Sequence, residues 1–104
     1  MKVYISGPIT GRTLEEAELH FRQAHMELGR KNEVMTVINP MALNHDHDKT
    51  WESYMRHDIK AMLNCNAIYM LNGWEKSKGA IIEFNLAKEL KFTILFESFP
   101  FVLK

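Results

Sequence analysis

Hydrophobic positions along the chain follow two alternating periods. Lys2–Ser6 is a short apolar, β-prone run ended by Gly7-Pro8, which predicts a strand. Thr13 then offers a helix N-cap, with Glu16 three residues later in capping-box register. Leu14, Ala17, Phe21, Ala24 and Leu28 follow at spacings of three and four, giving one apolar helix face, and Gly29 marks its expected end. Residues 34–38 predict a second strand, closed by Asn39-Pro40. A polar loop leads to Thr50, a second capping residue, and to an apolar stripe of Trp51, Met55, Ile59, Met62 and Leu63. A third strand is expected over 67–71, a third helix over about 78–91 and a fourth strand over 92–96. The apolar tail, 98–104, suits either a fifth edge strand or a contact with another subunit.

The resulting order is β-α-β-α-β-α-β in one domain spanning residues 1–104. Strands apolar on both faces and separated by helices imply a parallel sheet covered on both sides. We therefore expect an α/β, flavodoxin-like three-layer αβα sandwich with a four- to five-stranded parallel sheet in the order 2-1-3-4(-5). Its topological switch point lies between the first and third strands, where ligands bind beyond the carboxyl ends. The loops 7–13, 39–50 and 72–77 would then surround the site.

Composition narrows the function. Thirteen basic residues balance thirteen acidic ones, which argues against nucleic-acid binding driven by counterion release. One cysteine, Cys65, excludes an intramolecular disulfide framework and a multi-cysteine zinc site, and its apolar neighbours suit an inert thiol. No apolar run approaches the ~20 residues that span a bilayer, and the N-terminal run is too short for a signal peptide, so no membrane partner and a cytoplasmic location are expected. At 104 residues the core is modest, and subunit association would add to it.

Two carboxylates interrupt apolar faces. Glu83 shares a helix face with Ala80, Ala87 and Leu90, and Asp58 lies on the stripe of Trp51, Met55 and Met62. Both helices start beside the expected cleft, and a pair of carboxylates there suits glycosidic chemistry. The plain alternatives are a boundary Glu that reaches solvent and a structural Asp bonded to backbone N–H groups. The turn Gly7-Pro-Ile-Thr-Gly-Arg12 can hold an anion or simply join a strand to a helix. Ser77 can cap the third helix or bind a phosphate at its start, with Lys76 and Lys78 adding positive charge. Trp51 and Trp74 suit either base stacking or rim packing, and Met55, Met62 and Met70 suit core filling. His45, Asp46, His47 and Asp48 alternate as metal ligands can, but they lack ligand-spaced pairs on a helix and suit a solvated loop; no metal is expected.

Three segments together resemble the nucleoside 2-deoxyribosyltransferase superfamily, especially its DUF4406 branch: Val3-Tyr-Ile-Ser-Gly-Pro8, His57-Asp-Ile59, and Ala67-Ile-Tyr-Met-Leu-Asn-Gly-Trp-Glu-Lys-Ser-Lys-Gly-Ala-Ile-Ile-Glu83. The resemblance spans nearly the whole chain, and its Gly-Trp-Glu-x-Ser-x-Gly-Ala-x-x-Glu stretch is the specific part. It implies a flavodoxin-like fold and cleavage of the N-glycosidic bond of 2′-deoxynucleosides or their 5′-monophosphates, with no cofactor. By motif it implies Glu83 as nucleophile, Asp58 contacting the sugar or assisting the leaving base, and Tyr4 near the nucleophile. The substrate-binding candidates are Ser6, Gly7, Pro8, Gly11, Arg12, Trp74, Ser77 and Gly79. Superfamily members acting on free nucleosides tend to carry an acidic residue six positions before the nucleophile. Ser77 stands there and is similar to the residue of relatives that hydrolyse deoxynucleoside monophosphates. A homodimer or larger assembly is expected as well, because the domain is small and its tail, Phe99-Pro-Phe-Val-Leu103, is too apolar to hang free in water; in the transferases part of the site comes from a neighbouring subunit.

Two other classes stay open on the sequence. One is a non-catalytic nucleotide or nucleotide-sugar sensor on the same fold, since fold does not fix function. The other is a metal-dependent phosphohydrolase built on the His/Asp cluster.

Overall fold

A computed structural model describes residues 1–31, 35–43 and 50–98. The elements run β1 (Lys2–Ser6), α1 (Leu14–Lys31), β2 (Thr36–Ile38), a 3-10 turn (Pro40–Ala42), α2 (Trp51–Met62), β3 (Ala67–Met70), a second 3-10 turn (Trp74–Lys76), α3 (Lys78–Glu89) and β4 (Thr93–Phe96). The sheet is wholly parallel, with strand order β2-β1-β3-β4. This is the expected flavodoxin-like arrangement. The tail positions proposed for a fifth strand, from Phe99 onward, lie outside the described residues, as do His45, Asp46, His47 and Asp48. Among the described residues no helix is long and apolar enough to cross a membrane.

The alternation of side chains along the strands sorts the core into two layers. Val3 and Ile5 of β1, with Ala67, Tyr69 and Leu71, pack against Phe21, Ala24 and Leu28 of α1. Tyr4, Ile68 and Met70 face the other way, against Met62 of α2 and Ala80 and Ala87 of α3. The physical cause is the reversal of direction in the strand order. Crossovers of one hand place α1 on one face and α2 and α3 on the other, and the reversal opens a crevice beyond Ser6 and Met70.

Helix ends differ from expectation at four places. Thr13 Oγ1 accepts the Glu16 N–H and starts α1, but the helix runs through Gly29 to Lys31. Leu14 is 65% exposed rather than packed, because it precedes the part of α1 that lies on the sheet. Leu63 and Leu90 are exposed for a related reason: each is the C-cap of its helix, past the buried stripe. α3 stops at Glu89 because Lys91 takes a left-handed conformation (φ 60°), with Lys91 N–H donating to Lys88 O and Phe92 N–H to Ala87 O. That is a Schellman closure built on a lysine instead of the usual glycine, so no composition signal marks it.

Candidate active site

The crevice at the switch point is a cleft of about 860 Å³, within the size range of small-molecule sites. Its floor is polar. Tyr4 and Ser6 point to the same face of β1 because they are two residues apart, and both are buried. Glu83, on the third inward position of α3 after Ser77 and Ala80, meets them from the opposite side. Tyr4 Oη donates to Glu83 Oε2 at 2.8 Å, and Ser6 Oγ donates to Glu83 Oε1 at 2.6 Å. Glu83 is 5% exposed and Asp58 8% exposed, and both line the cleft. Asp58 Oδ1 is buried with no hydrogen-bond partner among the described residues.

Burial governs the electrostatics here. It pushes the Glu83 carboxyl up to about 7; the bonds from Ser6 and Tyr4 oppose that rise, and the nearby Asp58 adds to it. Burial alone carries Asp58 up to about 7. Burial, reinforced by Glu83 and Asp58, drives the Tyr4 phenol well above its ordinary value, so Tyr4 remains a proton-bearing donor. The two carboxyls thus share similar proton affinities but differ in surroundings. Two donors favour ionised Glu83, whereas the orphaned Asp58 oxygen favours the neutral acid.

Backbone packing explains two glycines of the site. A Cβ at Gly7 would lie 2.7 Å from Leu71 Cβ, so only glycine lets the chain leaving β1 pass against β3. At Gly79 a Cβ would lie 2.9 Å from Met55 Sδ, so glycine lets the first turn of α3 close on α2. Ser77 Oγ accepts the Ala80 N–H as the α3 N-cap and also lines the cleft, beside Lys76 and Lys78. At the mouth, Lys78 Nζ sits 4.3 Å from the centroid of the Trp51 ring. The walls carry apolar side chains from Ile9, Leu14, Met41, Trp51, Tyr54 and Met55, together with the carboxylates Glu18 and Glu52.

Of the expected site residues, the structure brings together Tyr4, Ser6, Gly7, Asp58, Ser77, Gly79 and Glu83. Pro8, Gly11, Arg12 and Trp74 are not among the lining residues. Trp74 instead stacks beside Phe84, with ring centroids 4.5 Å apart, and approaches Phe96 at 6.3 Å. Arg12 turns back to donate to Pro8 O at 3.0 Å and to His20 Nδ1 at 3.1 Å. Sequence reasoning missed Tyr54 and Met41 as wall residues, although Tyr54 lies one turn before Asp58 on α2. It also missed His20, whose contacts are long-range. Cys65 is buried, and burial raises its thiol, as expected of an inert cysteine.

No curated protein matches the chain. Residues 1–96 match DUF4406, a domain of unknown function, and the chain belongs to that family.

Proposed function

We propose that the protein cleaves or transfers at the N-glycosidic bond of 2′-deoxynucleosides or their 5′-monophosphates. The observation that carries this reading is a buried glutamate on the cleft floor, held at both oxygens by Tyr4 and Ser6 and paired with a second buried carboxyl, Asp58. The likeness of the α3 segment to the nucleoside 2-deoxyribosyltransferase superfamily supports it. The assigned roles follow from the two carboxyl environments. Ionised Glu83 attacks the anomeric carbon while the bond to the base breaks, and the bonding pair leaves with the base nitrogen. Neutral Asp58 gives its proton to the departing base. Water or a second base then attacks the same carbon, Asp58 takes the incoming nucleophile's proton, and Glu83 is released. The apolar side chains of the walls and the face of Trp51 suit the base.

A panel of deoxynucleosides and their monophosphates, assayed for free base, tests the reading. Release of base, with a deoxyribosyl adduct on Glu83 by mass spectrometry, supports it. Tight binding without turnover of any member would favour a nucleotide sensor instead.

The 5′ end of the substrate is assigned to Ser77. Its oxygen accepts from Ala80 N–H, leaving the hydroxyl proton for an anion at the start of α3, next to Lys76 and Lys78. Arg12, bonded to Pro8 O and His20 Nδ1, lies outside this assignment. We expect kcat/KM to favour the monophosphate over the free nucleoside. Ser77→Ala should reduce monophosphate use roughly tenfold, the equivalent of one charge-assisted bond of ~1.5–3 kcal/mol. Ser77→Asp keeps a good N-cap but repels phosphate, and should reverse the preference. An unchanged preference in Ser77→Asp would remove the phosphate from this position.

We also propose a homodimer or larger assembly. Among the described residues, Phe96 is exposed on β4 beside Trp74 and Phe84, an aromatic patch at the edge strand. Light scattering at micromolar concentration should give at least twice the monomer mass, and a monomer mass would overturn the proposal.

A further inference from the structure

The loop between β1 and α1 supplies Ile9 and Thr10 to the cleft wall. One of its ends is pinned at Gly7 by the close approach of Leu71. The other end is held by a chain of polar groups that lies outside the cleft. Arg12 Nη1 donates to Pro8 O at 3.0 Å, closing the loop on itself, and to His20 Nδ1 at 3.1 Å. His20, on α1, is 2% exposed. Arginine can only donate, so Nδ1 is the acceptor, and in the neutral ring Nε2 carries the proton. Nε2 faces Glu97, just past β4, at 2.9 Å from Oε1. Glu97 Oε1 also accepts the Asn72 N–H at 2.8 Å, at the start of the loop after β3. A fully buried histidine therefore joins the loop after β1 to the two chain segments leaving β3 and β4.

We propose that the Arg12–His20–Glu97 chain is a positioning device for the cleft wall: it sets Ile9 and Thr10 for ligand while touching no ligand itself. Loss of any link loosens the loop at its Arg12 end, where Arg12 also bonds Pro8 O and Glu16 O, while the strands keep their own ladder. A device of this kind moves ligand affinity more than the chemical step, because Glu83, Tyr4 and Ser6 are held by bonds independent of it. The kinetic part rests on the N-glycosidic reading; the effect on loop order does not.

Hydrogen exchange on the full chain reads the loop directly. Arg12→Ala and His20→Ala should each speed exchange of the residue-12 amide, which donates to Ile9 O, by tenfold or more, with β1 and β3 amides unchanged. The double variant should exchange no faster than Arg12→Ala alone, because His20 acts on the loop only through Arg12. Glu97→Gln keeps a carbonyl acceptor and should leave the loop as in wild type, whereas Glu97→Ala should loosen it. In turnover, Arg12→Ala should raise KM about tenfold with kcat within about twofold. If His20→Ala does not fold, Arg12→Ala and the two Glu97 variants decide the matter. Faster exchange across β1 and β3 as well, additive effects in the double variant, or an unchanged loop would overturn the proposal. A panel that releases no base would sink the activity and leave the exchange result to decide this one.

Discussion

Glu83→Ala should lower base release by on the order of 10³-fold or more, because the covalent route is lost with its nucleophile. The buried groups around it give the reason. Tyr4 and Ser6 hold a carboxylate in place at both oxygens, and both spend their hydroxyl protons on it. Glu83→Gln is the sharper control, since it keeps the shape of the side chain and removes only its charge. Circular dichroism should show both variants folded. Base release at the wild-type rate in Glu83→Ala would end the catalytic assignment. A deoxyribosyl adduct found on any other residue would end it too.

A large stability effect should follow from the same two carboxyls. Both are raised to about 7, from ordinary values of 3.8 for Asp58 and 4.5 for Glu83. Between those limits the folded protein holds protons that the unfolded chain has lost. Their contribution to stability is therefore fully present below about pH 4 and is lost as pH rises through about 7. The loss is roughly 4 kcal/mol for Asp58 and roughly 3 kcal/mol for Glu83, from the size of the shifts. Asp58→Asn removes one of these ionisations. At pH 8 it should melt at least about 5 °C above wild type, since about 1 kcal/mol moves the midpoint of a domain this size by several degrees. At pH 4 the gap should close. A gap equal at both pH values would mean that Asp58 ionises in the fold as easily as in water. The same variant should lose base release, which would make the site a place where stability is given up for chemistry.

The pair should also shape the rate profile. Ionised Glu83 and neutral Asp58 are required together, so base release should peak near neutral pH and fall on both sides. The two limbs report the pair as a unit, because the Glu83 carboxyl senses Asp58.

Periodicity alone was enough for much of this protein. The two periods separate strands from helices, and the apolar character of both strand faces requires helices on both sides of a parallel sheet. Thr13, Thr50 and Ser77 mark the helix starts through their side-chain chemistry, and all three accept the expected backbone N–H. Glu83 and Asp58 stood out because a carboxylate on a packing stripe breaks a pattern that burial enforces. Only the tertiary structure decided what those carboxyls touch. Ser6 and Tyr4 are 77 and 79 residues from Glu83, a separation that no local spacing encodes. Tertiary packing also separated the two tryptophans, one at the cleft mouth and one in an aromatic cluster with Phe84 and Phe96. It turned Arg12 from the cleft to a buried histidine, because His20 lies two turns into α1 and Glu97 beyond the last strand. Local propensity and burial act over a few residues and are legible in order along a chain; the partners of a buried polar group are chosen by the fold, and become readable only when distant segments meet.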